Sequence, residues 1–185
     1  MEQETLLRKI GAALEKLEIP YLITGGLAVV VWGRPRFTAD IDIVIEVRPE
    51  KTDVLVRSLV ALSSDIFVDP ETVVEAIRDQ SEFNVVDPAS GLKVDFWILR
   101  DDLFDRERMR RRVKRIVGGQ VLFFISPEDL ILVKLRWHKE GSSTRHLEDI
   151  ESIVRIQENL DRDYLQRWAT QQSTKATLEA LLAKK

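Results

Sequence analysis

The stretch Tyr21-Leu-Ile-Thr-Gly-Gly-Leu-Ala-Val-Val-Val-Trp-Gly-Arg-Pro-Arg-Phe-Thr-Ala-Asp-Ile-Asp-Ile43 decides how this chain folds. Tyr21 to Thr24 is a short apolar strand that runs into Gly25-Gly26, and Leu27 to Trp32 then reads as a short helix stopped at Gly33. From Asp40 to Val47 the chain alternates until Ile43 and then becomes almost wholly β-branched. That is the pattern of a central strand whose later half is buried on both faces. Strand, glycine turn, helix and second strand follow one another, with two carboxylates at the start of the second strand.

Outward from this unit the periodicity continues. Leu6, Leu7, Ile10, Leu14 and Leu17 make one helical stripe over residues 3–18, closed by Pro20. Pro49 opens a helix to about Leu62, and Asp69-Pro70-Glu71 has N-cap and N1 chemistry for another ending near Arg78. Phe83 to Val86 and Leu92 to Leu99 are strand-like, joined by Asp87-Pro-Ala-Ser-Gly91, so Asp95 falls in a strand. The charged run Arg106 to Arg115 precedes Gly118-Gly119 and a short strand, Val121 to Ile125. Ser126-Pro-Glu-Asp129 is a capping box with proline at N1 and predicts a helix from Pro127 to about Lys139. Gly141-Ser-Ser143 leads into a helix spaced by Leu147, Ile150, Ile153 and Val154, and Tyr164 to Lys184 supplies one or two more. The expected architecture is α/β (α+β): a mixed sheet flanked by helices over 1–105, a basic connector with a short strand at 106–125, and a small helical domain at 126–185.

With 185 residues and 44% hydrophobic content the chain can bury a core. Its 28 basic and 31 acidic residues give no general attraction to nucleic acid or anionic membrane, so a polyanionic partner needs a local patch. Absence of cysteine removes disulfides and thiolate metal sites and leaves oxygen and nitrogen donors. The acidic start lacks an apolar leader, and no run approaches the ~20 apolar residues of a membrane span. A cytoplasmic location is expected.

Asp40 and Asp42, two apart in a strand, project from one face. Two carboxylates facing one point repel unless a cation lies between them, and oxygen-only ligation favours a hard divalent ion. Asp95 is the candidate third carboxylate, since a lone acid among Val94, Phe96 and Trp97 requires a partner. The plain alternative for Asp40 and Asp42 is a turn at the start of a strand. Gly25-Gly26 lets backbone N–H groups and a helix N-terminus approach phosphate oxygens, although two glycines after a strand also make an ordinary tight turn. Together these parts suit metal-assisted nucleotidyl transfer.

The segments 22–28 and 36–43, with 13 residues between Gly26 and Asp40, resemble the nucleotidyltransferase motif of the DNA polymerase beta superfamily. The Arg-x-Thr-x-Asp-Ile-Asp form is most similar to the toxin components of abortive-infection (type IV) toxin–antitoxin systems and their uncharacterised minimal relatives. The resemblance implies that Asp40, Asp42 and Asp95 are catalytic and hold magnesium in a two-metal site, and that Gly25-Gly26 cradles the triphosphate of an NTP such as ATP. It extends to Ser126 through Lys134 and to Arg145-His-Leu-Glu-Asp149, where Lys134 would reach the phosphates and Arg145 and Asp149 form a polar pair. Otherwise Lys134 is solvated and Arg145 pairs with Asp149 at i, i+4 on an exposed face. Arg36 and Thr38 could orient carboxylates or phosphates, or Thr38 could cap the strand start.

The implied acceptor is a hydroxyl of RNA, protein or a small molecule, with an antitoxin protein as a further partner. The basic run at 106–115 could hold RNA, or be a solvated helix face. His138 and His146 read as surface residues. The reading from another class is a catalytically silent binding or regulatory module that keeps the fold.

Overall fold

The computed structural model describes residues 2–88 and 90–183. Met1, Ala89, Lys184 and Lys185 lie outside the described residues, and with them the expected end of the last helix at Lys184. Six strands form one mixed sheet: β1 (Tyr21–Ile23), β2 (Asp40–Ile45), β3 (Glu82–Asp87), β4 (Leu92–Ile98), β5 (Val113–Val117) and β6 (Gln120–Phe124), in the order β3-β4-β2-β1-β6-β5. β2 runs parallel to β4 and antiparallel to β1; β1 meets β6 in parallel; β3 with β4 and β5 with β6 are hairpin-type antiparallel pairs.

The period-2 rule separates the sheet faces. Ile41, Ile43 and Ile45 of β2 and Val94, Phe96 and Ile98 of β4 are buried on one face, where Phe83 stacks on Phe96 at 4.9 Å between ring centroids. Three helices serve that side: α1 (Gln3–Lys16) contacts β6, α4 (Pro70–Asp79) contacts β3, and α3 (Thr52–Val60) packs against both helices. α1 buries Leu6, Leu7, Ile10 and Leu14, the stripe expected from its spacing. α4 begins as its sequence requires, with the Asp69 carboxylate accepting from the Glu71 N–H at 3.1 Å. The opposite face carries Asp40, Asp42 and Val44 beside Lys93, Asp95 and Trp97.

Over that second face lie α2 (Gly25–Trp32) and the C-terminal helices α6 (Pro127–Gly141), α7 (Thr144–Ile156), α8 (Arg162–Gln171) and α9 (Lys175–Leu182). α2 packs on β2, α6 and α7. The Ser126 hydroxyl accepts from the Asp129 N–H at 3.1 Å and donates to the Asp129 carboxylate at 2.6 Å, so the capping box is closed through the hydroxyl. Trp32 ties the layers: its indole N–H donates to the Ile125 carbonyl at 2.8 Å, and its own carbonyl accepts from Gln157 at 2.7 Å. Among the described residues no helix is long and apolar enough to cross a membrane.

Residues 106–125 differ from the expected connector. They hold the end of α5 (Leu103–Arg110) and two strands, and β6 pairs directly with β1 at Ile23 and Phe124. The basic run is largely neutralised within itself and by its neighbours. Arg106 pairs with Asp101, Arg108 with Asp105, Arg110 with Glu107, and Arg111 with Glu128 and Asp129. Arg112 and Arg115 lie over the rings of Phe123 and Trp32.

Candidate active site

Gly25 opens α2 with φ +60°, a conformation that L side chains rarely adopt, and a Cβ there would lie 1.9 Å from the Asp42 Oδ2. A Cβ on Gly26 would lie 2.2 Å from the Thr38 hydroxyl. Both glycines are therefore required by close approach, the first to the strand carboxylate and the second to the loop before β2. The Gly26 N–H is directed at the Asp42 carboxylate. This helix start thus faces an acid that it could share with a phosphate.

Asp42 and Asp95 are cross-strand neighbours in register on the parallel pair β2 and β4, and Asp40 stands beside Lys93 two residues earlier on the same face. Burial pushes the Asp42 carboxyl above its ordinary value, and Asp95 and then Asp40 push it further; the Trp97 indole and the Gly26 N–H oppose the rise. The Trp97 N–H is buried and closes no hydrogen bond of good geometry. Lys93 Nζ pairs with Asp95 at 2.8 Å, and this pairing raises the lysine pKa. Asp95 is not set among apolar side chains as its neighbours in sequence imply. Strand alternation sends Val94 and Phe96 to the other face and leaves Asp95 18% exposed beside Lys93 and Trp97.

Mutual repulsion of Asp42, Asp95 and Asp40 in a half-buried place is the environment a hard divalent cation relieves, and the donors are all oxygen. The residues fit such an ion chemically. As they stand, no three carboxylate or imidazole groups among the described residues converge closely enough to hold one ion.

A cleft of about 380 Å³ opens between the glycine turn and the C-terminal helices, lined by Gly25, Gly26, Thr38, Asp40, Asp42, Lys134, Trp137, Arg145 and His146. Lys134 is neither solvated nor pointed freely into the cleft. It is 2% exposed, with its ammonium on Asp149 at 2.8 Å. Arg36 grips the same carboxylate with two hydrogen bonds, Nε at 2.7 Å and Nη2 at 3.0 Å. Burial works to raise the Asp149 pKa, but the hydrogen bonds from Arg36 and Lys134 outweigh it and hold Asp149 below the usual carboxylate range. The expected Arg145–Asp149 pair does not form: Arg145 instead donates to the Phe37 carbonyl at 3.4 Å, because Asp149 is already filled by two other cations. Thr38 donates to the Asp40 carbonyl at 3.5 Å, a contact at the strand start.

His146 also differs from its surface reading. It lines the cleft with its ring 5.6 Å from Trp137 and its Nδ1 buried without a partner. Burial and nearby Lys134 lower its pKa, which favours the neutral imidazole. Its place one turn before Asp149 on α7 was the only signal in the sequence. His138 is turned away, with Nδ1 at 2.9 Å from the Ser143 carbonyl.

A fold of this topology, with a glycine turn and strand carboxylates opening on one cleft, makes the molecule a nucleotidyltransferase of the DNA polymerase beta superfamily. More narrowly, the family model of aminoglycoside-2''-adenylyltransferase matches residues 6–118, and the chain belongs to that family. Solved structures that share the fold include the following three. ANT(2'')-Ia in complex with adenylyl-2''-tobramycin has a TM-score of 0.62 at 16% identity, over 94% of this chain and 98% of that one. An antigenic nucleotidyltransferase-like protein from Paracoccidioides brasiliensis has 0.60 at 18%, over 98% and 92%. The lincosamide antibiotic adenylyltransferase LnuA, lincomycin-bound, has 0.56 at 17%, over 85% and 99%. Comparison with curated proteins gave no match.

Proposed function

We propose that this enzyme transfers a nucleoside monophosphate, AMP by the name of its family, from a triphosphate to a hydroxyl of an acceptor. The observation that carries this is the register of Asp42 against Asp95, with Gly25 closed to any side chain by the Asp42 carboxylate. Asp40, Asp42 and Asp95 would hold magnesium. When bound, the metal supplies charge neutralisation at the phosphates and a lowered pKa at the attacking hydroxyl. Gly25 and Gly26 present backbone N–H groups to the triphosphate, and Arg145 and His146 line the same cleft. Arg36 and Lys134 act one step back, by fixing Asp149 and with it the cleft wall.

In the transfer, the acceptor oxygen bonds to the α-phosphorus and its proton passes to the Asp95 carboxylate. The bond from the α-phosphorus to the bridging oxygen breaks, and pyrophosphate leaves with the electron pair. A toxin-like role with an antitoxin partner is a second reading of the same chemistry, and no feature of the cleft favours it.

Calorimetric titration of each nucleoside triphosphate with magnesium, on the wild type and on the Asp40→Ala, Asp42→Ala double variant, tests the proposal. Magnesium-dependent binding of ATP that the double variant loses is expected. Equal binding by both proteins, or binding that ignores magnesium, would remove the carboxylates from the role given to them.

A further inference from the structure

On the same sheet face, across Trp137 from the glycine turn, lies a second recess of about 290 Å³, whose lining includes Trp97, Trp137, Glu82, Arg100 and Arg136. Resting on the nucleotidyl-transfer reading, we propose that this recess takes the acceptor, and that the acceptor is a small planar hydroxyl compound carrying an acidic group rather than a polyamine.

Position is the first argument. Trp97 follows Asp95 by two residues on one strand face, and Trp137 borders both the recess and the glycine-turn cleft, so the recess lies next to the site carboxylates Asp40, Asp42 and Asp95, none of which lines it. In-line displacement requires the acceptor hydroxyl to approach the α-phosphorus from the side away from the leaving pyrophosphate, so a compound seated in the recess would extend its hydroxyl past Trp97 toward Asp95.

Charge is the second. Arg108 and Asp105 neutralise each other in a buried pair, Nε to Oδ1 at 2.9 Å. Among the described residues the Arg100 guanidinium has no hydrogen-bond or ion-pair partner, and the one carboxylate near Arg136 is Glu140 at 4.0 Å. Against these two cations the lining offers a single carboxylate outside an ion pair, Glu82. A compound with several ammonium groups would need several carboxylates and would meet arginines instead. One acidic group satisfies the lining.

Size and shape are the third. The volume is that of a small-ligand site, and two tryptophans in its lining offer aromatic surface to a ring.

The test uses tryptophan-fluorescence quenching on the full chain with three probes of one frame: para-hydroxyphenylacetate, tyrosol and tyramine, which are anionic, neutral and cationic. Tobramycin and a short single-stranded RNA are run beside them. The acid should bind about tenfold more tightly than tyramine. The double charge reversal Arg100→Glu, Arg136→Glu should invert that order while leaving ATP binding unchanged. Equal binding of the three probes, a preference for tyramine or tobramycin, no binding of the acid, or an order that survives the reversal would each overturn the proposal. Tighter binding of the RNA that the reversal abolishes would overturn it too, in favour of a polymer. ATP with magnesium is titrated separately. Its failure to bind counts against nucleotidyl transfer, whereas the charge order of the probes is read on the protein alone.

Discussion

At the scale of single residues, Asp42 is held where its charge is unwelcome. Its raised pKa means that its contribution to folding is fully present below the unfolded value of 3.8 and is lost as pH rises through the folded one. At neutral pH and without divalent metal the ionised carboxylate therefore weakens the fold. Asp42→Asn should melt a few degrees higher than wild type in chelator and lose transfer activity by at least about a thousandfold. Magnesium should raise the wild-type melting temperature and leave the variant unmoved. A wild type that melts higher than the variant in chelator would refute the electrostatic part. Gly25→Ala strikes the same point from the helix side. Its Cβ would collide with Asp42 and its backbone would be strained, at a cost of about 1–2 kcal/mol. The variant should fold, read by circular dichroism, and bind ATP at least about tenfold more weakly.

At the scale of elements, most of the architecture was legible because the elements announce themselves locally. Proline and capping residues mark the starts of α4 and α6, and the change from alternation to a continuous apolar run marks β2. The loss of Ser126 Oγ removes one cap bond and one partner of Asp129, so Ser126→Ala should lower urea-unfolding stability by about 1 kcal/mol, with the Michaelis constant for ATP unchanged. β5 escaped the sequence reading for a physical reason. Lys114, Arg115 and Ile116 are all exposed on a sheet edge, so no buried face imposes a period on the residue pattern. The partners of Asp149 escaped for another. Arg36 lies 113 residues away, and no spacing rule reaches across that separation.

At the scale of the molecule, Asp149 joins three segments: the loop before β2 through Arg36, α6 through Lys134, and its own α7. Its lowered pKa gives stability that is present above the unfolded value of 3.8 and lost as pH falls through the folded one. Urea midpoints measured from pH 6 downward should therefore drop below about pH 4 in the wild type, with a shallower slope in Asp149→Asn. At neutral pH that variant leaves Lys134 buried without its carboxylate and should lose about 3 kcal/mol. An unchanged midpoint would mean that the buried ammonium finds another acceptor.

The parallel pairing of β1 with β6 has a consequence for how the protein comes into being. Ile23 waits for Phe124, about a hundred residues later in the chain, before its side of the sheet is covered. During synthesis the glycine turn and the aspartates of β2 emerge first, and the wall that carries Lys134, His146 and Asp149 emerges about a hundred residues later. A nascent chain thus exposes its reactive carboxylates well before it has a cleft around them. The binding site is complete only once α7 has been made and Asp149 can lock onto Arg36.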